Sequence, residues 1–123
     1  MGQGERLEDA NAPMSKRTID ATLAALADPY RRRAVELLGQ RPRRAGELAQ
    51  ALGLPAPEMS RHLRELKQSG LVEETHPEFD ARVRIYTLKD GAMADLKKWL
   101  AETERMWTDQ LASFKAHVER KRK

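Results

Sequence analysis

The chain has 123 residues and no cysteine, and its 23 lysine and arginine residues against 19 aspartate and glutamate residues give a formal net charge of +4. This length supports one domain with a single core, and the lack of cysteine excludes disulfides, thiolate metal sites and thiol chemistry. The basic excess is modest, and it favours a polyanionic partner only where the positive charge is clustered. No apolar run reaches membrane-spanning length and the N-terminus lacks a signal-peptide pattern. We therefore expect a cytoplasmic protein of bacterial type without a membrane partner.

The chain divides into three parts by composition and periodicity. Residues 1–15 lack apolar periodicity, and we expect this segment to be disordered. Residues 16–119 are expected to form one domain that ends in a long helix. Residues 120–123 form a basic tail, which is either a solvated chain end or a source of nonspecific attraction to DNA.

Three helices are predicted between residues 18 and 53. The second can be capped by Asp28, and Pro29 suits its first turn. The third ends at Gly53, a residue that tolerates a left-handed backbone. The arginines at positions 31–33 admit two interpretations, a phosphate contact or a solvated surface. The first helix carries one apolar stripe, which consists of Ile19, Leu23 and Leu26.

A fourth helix is predicted at residues 55–69, and it has two different faces. Met59, Leu63 and Leu66 recur at helical spacing and are expected to face the core. Two short helices joined at Gly53 make a helix-turn-helix, whose second helix lies in the DNA major groove. The positions off the core stripe are therefore candidates for DNA contact, namely Ala56, Pro57, Ser60, Arg61, His62 and Arg64. For His62, phosphate contact, packing beneath the helix and simple exposure all remain alternatives.

The segment 72–88 is predicted to form a β-hairpin that acts as a wing. Its strands lie in "LVEETH" and "RVRIYTL", and "PEFDA" joins them. Arg82 and Arg84 on this wing are expected to meet phosphates or the adjacent minor groove. Arg44 precedes the third helix, and because helix N-termini favour phosphate oxygens it is also a candidate for backbone contact.

The last helix carries apolar residues at steps of mostly three or four, close to a heptad seam. About 30 residues give a helix of roughly 45 Å, which is longer than a small domain can cover by itself. We therefore expect the seam to pack against a second copy, with the first helix as a further layer. A two-fold dimer would place two recognition helices about 34 Å apart on a near-palindromic operator. The expected interface comprises Ile19, Leu23, Leu26, Leu100, Trp107, Leu111 and Phe114.

Four segments, "ALADPYRRRAVELL", "AGELAQALGL", "MSRHLRELKQSGLVEE" and "RIYTL", resemble the ArsR-type winged helix-turn-helix regulators. The resemblance covers roughly residues 18 to 115, and "SRHLRELKQSGLV" is its most specific part. It implies a mostly α fold with a small β-hairpin, in the order four helices, two strands and one helix. It also implies a homodimeric, DNA-binding transcriptional regulator that acts by default as a repressor.

The sequence predicts neither a metal site nor a cofactor. Some members of the family sense metals through cysteines or through Asp and His pairs on the last helix. Here Asp109 and His117 are about 12 Å apart along that helix, too far to chelate one ion, so the chain resembles the metal-free branch, and its effector is unknown. An enzyme is not expected, since no phosphate-binding loop or paired nucleophile is present. The alternative function is a winged-helix module for protein contacts without a specific DNA target.

Overall fold

The computed structural model describes residues 14–122, with side chains from residue 19 to residue 121. Most of segment 1–15, which we predicted to be disordered, lies outside the described residues, and the first helix begins at Met14. The predicted mostly α winged helix-turn-helix fold is confirmed. Its elements are α1 (Met14–Leu26), α2 (Pro29–Gln40), β1 (Arg43–Arg44), α3 (Ala45–Leu52), α4 (Ala56–Gln68), β2 (Val72–Thr75), β3 (Ile85–Leu88) and α5 (Ala94–Arg122).

The helix boundaries follow from local chemistry that is visible in the sequence. Asp28 caps α2, and its Oδ1 accepts hydrogen bonds from the amides of Tyr30 at 2.8 Å and Arg31 at 3.2 Å. Gly53 ends α3 with φ of +67°, in the left-handed region. There the amide of Leu54 donates to the carbonyl of Ala49 at 2.9 Å, which closes the helix and sets the turn into α4.

The core lies where α2, α3, α4 and the sheet meet. Met59, Leu63 and Leu66 of α4 are almost completely buried, as the apolar spacing predicted. They pack with side chains from the neighbouring elements, so the inward face of α4 is fixed by several contacts. The opposite face of α4 is consequently held at the surface. The other core residues are Ala25, Ala34, Leu38, Leu48, Ala49, Leu71, Val72 and Tyr86.

The predicted hairpin is part of a three-stranded antiparallel sheet with the order β1-β3-β2. The prediction of a two-stranded hairpin was incomplete, because β1 at Arg43–Arg44 pairs with β3. A strand of two residues has no periodicity that a sequence pattern could reveal. Strand β3 also begins at Ile85, so the segment from 82 to 84 precedes the ladder. Glu74 lies directly opposite Tyr86 in the β2–β3 register.

Helices α1 and α5 contact each other within the subunit. Ile19 is already buried within the subunit and Leu26 packs against the core, so they offer little surface to a partner. Of the predicted stripe on α1, Leu23 is the exposed member, at 44%. No helix in residues 14–122 is both long and apolar enough to cross a bilayer.

Helix α5 leaves most of its apolar stripe exposed. Trp107 and Phe114 are 65% and 66% exposed in the subunit. The helix continues to Arg122, so the basic residues that begin at 120 extend it as far as the described chain reaches. Such a continuous apolar surface is typical of an interaction site. The large exposed residues on this helix are Trp99, Leu100, Met106, Trp107, Leu111, Phe114 and Val118.

Candidate nucleic-acid interface

A basic cleft lies between the start of α3, helix α4 and the wing. It has a volume of about 360 Å³. Four of the predicted site residues line it, namely Arg44, Ser60, Arg82 and Arg84. These residues come from β1, α4 and the segment before β3, so the fold assembles the cleft from distant parts of the chain. The clustering is the condition under which a modest basic excess favours a polyanion.

The exposed surface of α4 adjoins this cleft. Arg61 and Arg64 are exposed and form no ion pair with any residue in the described range. Ala56 and Pro57 are exposed in the first turn, so the tip of the helix is small and unobstructed. Since Met59, Leu63 and Leu66 fix the opposite face, these side chains are displayed on a rigid element rather than on a loop.

The N-terminus of α3 is less open to phosphate than its sequence suggested. The Glu47 carboxylate accepts a hydrogen bond from the Arg44 amide at 3.1 Å and another from the Arg41 guanidinium at 3.1 Å. The amide bond, followed by the bond from Arg41, lowers the pKa of Glu47 below its usual range. A negative charge therefore already occupies the helix end. Any contribution of Arg44 to DNA binding must come from its exposed side chain.

The wing carries its cations in two different environments. Arg82 is almost fully exposed, and its Nε lies 3.4 Å from Oδ1 of Asp80, which also accepts a hydrogen bond from the Arg82 amide. Arg84 lies closer to α4, with its Nε 3.7 Å from Oε1 of Glu74. Both arginines line the cleft, but only Arg84 is paired with Glu74 of β2.

His62 is placed apart from the exposed arginines of α4. Its side chain is 17% exposed, and its Nδ1 lies 3.3 Å from a guanidinium nitrogen of Arg31 and 4.0 Å from Oδ1 of Asp28. Its ring centroid is 5.8 Å from that of Tyr30. Of the three alternatives for His62, the structure therefore supports packing beneath the helix, and it does not bring this residue to the cleft.

Arg31 and Arg32 cap the end of α1 rather than standing as a solvated surface. The Nε of Arg31 donates to the carbonyl of Ala25 at 2.6 Å, and Arg32 donates to the carbonyl of Leu26 at 2.7 Å. Cations at a helix C-terminus satisfy carbonyls that have no partner within the helix. The third residue of the run, Arg33, lies 4.0 Å from Glu36 on the surface of α2.

The sequence did not single out the polar group between α4 and the wing. Oε2 of Glu74 accepts a hydrogen bond from Lys67 at 2.7 Å, and Oε1 accepts one from the Tyr86 hydroxyl at 3.2 Å. The bond from Lys67 lowers the pKa of Glu74 most, while burial raises the pKa of Tyr86 above its usual value. Among residues 14–122, no cluster of histidine and acidic residues could hold a metal ion.

Comparison with known proteins agrees with this geometry. The family model described as "Helix-turn-helix domain" matches residues 26–75. Over 98 residues the chain is 35% identical to the HTH-type transcriptional regulator Rv2034 of Mycobacterium tuberculosis. The matched region makes up 80% of this chain and 86% of that relative.

Two solved structures extend the similarity to the whole fold. The ArsR-like transcriptional regulator from Rhodococcus sp. RHA1 is 25% identical, with a TM-score of 0.71 over 83% of this chain and 91% of that chain. The ArsR family transcriptional regulator RHA00566 is 27% identical, with a TM-score of 0.66 over 74% and 91% of the two chains. The exposed recognition helix, the basic cleft and these similarities lead to one assignment. The chain belongs to the ArsR-type winged helix-turn-helix family, and it is a DNA-binding transcriptional regulator.

Proposed function

We propose that this regulator is a repressor that binds a near-palindromic operator as a two-fold homodimer. The observation that carries the proposal is the exposure of Arg61 and Arg64 on α4, the helix whose Ser60 lines a cleft together with Arg44, Arg82 and Arg84. A protein-contact module would not require arginines on the recognition helix and the wing together.

In this proposal α4 enters the major groove and reads base edges. Arg61 and Arg64 are exposed and able to donate two parallel hydrogen bonds to guanine, and Ser60 can bond to several bases. Ala56 and Pro57 at the tip allow a close approach to the groove floor and offer apolar contact to a thymine methyl group. His62 is omitted from this set because its ring packs against α2.

The arginines that line the cleft are assigned to the DNA backbone. Arg44 and Arg82 both line the cleft, and both side chains are exposed. Contacts of this kind fix the orientation of the protein on the duplex and carry no sequence information. Arg84 lines the same cleft, but its pairing with Glu74 limits its approach to phosphate.

The dimer is assigned to the apolar surface of α5. Leu100, Trp107, Leu111 and Phe114 recur along one side of the helix and are all exposed in the subunit. Leu23 of α1 is exposed too, whereas Ile19 and Leu26 are used within the subunit. The interface therefore depends mainly on α5. A two-fold axis through it would present the two copies of α4 to successive major grooves.

Repression would follow from occupancy of a promoter, since the bound dimer would block polymerase, and autorepression is one form of it. Such a regulator would act in the cytoplasm, where bacterial DNA is accessible. A reporter gene placed downstream of the operator, once the operator sequence is identified, tests the sign of regulation. Higher expression in cells that lack the protein supports repression, and lower expression contradicts it.

Selection of bound duplexes from a random DNA pool tests the operator model directly. The expected result is an inverted repeat whose half-sites are centred about one helical turn apart, roughly 34 Å. The affinity for the selected duplex should also fall steeply as salt rises, because phosphate contacts release counterions. Failure to enrich any sequence, together with no binding to mixed duplexes at low salt, would favour the protein-contact module instead.

A further inference from the structure

Glu74 joins the recognition helix to both strands of the wing. Its carboxylate accepts hydrogen bonds from Lys67 on α4 and Tyr86 on β3, and it lies 3.7 Å from the guanidinium of Arg84. The Glu74 side chain is 16% exposed. This group lines a crevice of about 160 Å³ that also contains Ser60 and Arg64.

The charge of Glu74 has a direct consequence for DNA binding. The hydrogen bond from Lys67 and the nearby charges hold the pKa of Glu74 below its usual range, so the carboxylate is ionised at neutral pH. Lys67 and Arg84, whose side chains are 54% and 57% exposed, are thus paired with this carboxylate on the surface that we propose to face DNA. A phosphate that approaches either cation has to displace this carboxylate or overcome its repulsion.

We propose that Glu74 sets the specificity of this regulator by withholding Lys67 and Arg84 from phosphate while it holds the wing against α4. The proposal rests on the operator binding proposed above. Nonspecific affinity depends on how many cations meet phosphates, whatever the sequence. Specific affinity depends on the position of α4 relative to the wing. A carboxylate that lowers the nonspecific affinity and preserves the specific affinity raises the ratio of specific to nonspecific binding.

The variant Glu74→Gln tests this assignment, because glutamine keeps the shape of the side chain and a hydrogen bond to Tyr86 but removes the charge. Binding is measured against salt concentration for the selected operator and for a random duplex. We expect tighter binding to the random duplex, a salt slope steeper by about one to two units, and a lower specificity ratio.

Glu73→Gln is the matched control. Glu73 is exposed on the same strand, and alternation along β2 places it on the opposite face, away from Lys67. The Glu73→Gln substitution removes the same charge from the wing without releasing a cation. The Glu74 assignment is overturned if Glu74→Gln and Glu73→Gln give the same salt slope and the same specificity ratio.

Lys67→Gln provides a test that does not depend on the folding of a Glu74 variant. If Lys67 is withheld, its loss should leave the salt slope for random duplex unchanged in the wild-type background. A slope that falls by about one unit would show that Lys67 already contacts phosphate, and would overturn the proposal.

If the wild-type protein shows no preference for any operator, the operator binding itself fails. If the wild type prefers its operator and Glu74→Gln keeps the same ratio, only the Glu74 assignment fails.

Discussion

The Nδ1 atom of His62 lies 3.3 Å from a guanidinium nitrogen of Arg31, which ties the recognition helix to the start of α2. The same guanidinium donates to the carbonyls of Ala25 and Ala24 at the end of α1. One arginine therefore connects α4 with α1, and α1 packs against the long helix α5. Arg31 therefore contacts both the helix that we propose to read DNA and the end of α1, which packs against the helix that we propose to form the dimer.

His62→Ala should lower stability without changing base preference. The variant loses the contact with Arg31 and the packing against Tyr30, and we expect the free energy of unfolding to fall by about 1 kcal/mol. Urea unfolding measures the first effect, and selection from a random pool measures the second. Altered preference at a base pair, with unchanged stability, would place His62 at the DNA instead.

Arg61→Ala should show the opposite pattern. Arg61 is the neighbour of His62 in sequence, but its side chain is exposed and forms no ion pair with a described residue. If it bonds to guanine through both donors, its loss weakens operator binding by about 1–3 kcal/mol and relaxes preference at one base pair. Unfolding should be almost unaffected. Unchanged affinity and preference would remove Arg61 from the base-reading set.

Stability should fall in acid because of Asp28. Burial raises the pKa of Asp28, but the amide bonds from Arg31 and Tyr30 outweigh it, so the pKa lies below its ordinary value of 3.8. A carboxylate with a depressed pKa stabilises the fold above the ordinary value, and that stabilisation is lost as pH falls through the lower folded value.

Asp28→Asn separates this charge effect from the cap itself, since asparagine is also a good N-cap residue. The wild-type protein should be the more stable of the two at neutral pH, and the difference should shrink below about pH 4. Urea unfolding from pH 3 to pH 7 measures it. A difference that is constant over this range would mean that the charge of Asp28 does not contribute.

Local patterns predicted most of the fold. The spacing of Met59, Leu63 and Leu66 identified the buried face of α4, and Asp28 and Gly53 marked helix ends because their chemistry acts within a few residues. The apolar stripe of α5 was likewise visible from its spacing, and the structure leaves it exposed in the subunit.

Contacts between distant segments could not be predicted in the same way. The group of Lys67, Glu74 and Tyr86 depends on the register of β2 with β3 and on how α4 meets the sheet. His62 and Arg31 are likewise far apart in sequence, so no local spacing links them. The sequence therefore did not predict that His62 packs against α2, or that Glu74 lies among the cations between α4 and the wing.

Leu111→Asp tests the dimer and its role in DNA binding together. Leu111 is exposed in the subunit, and the two-fold model buries it between copies, where an unpaired aspartate would be strongly unfavourable. We expect sedimentation to show a monomer that retains only weak, nonspecific DNA affinity. Ala116→Asp is the control, because Ala116 is also exposed but lies about 140° around α5 from Leu111. It should remain a dimer and bind the operator. If Leu111→Asp stays dimeric and binds the inverted repeat tightly, the interface lies elsewhere, and Leu23 on α1 is the next residue to test.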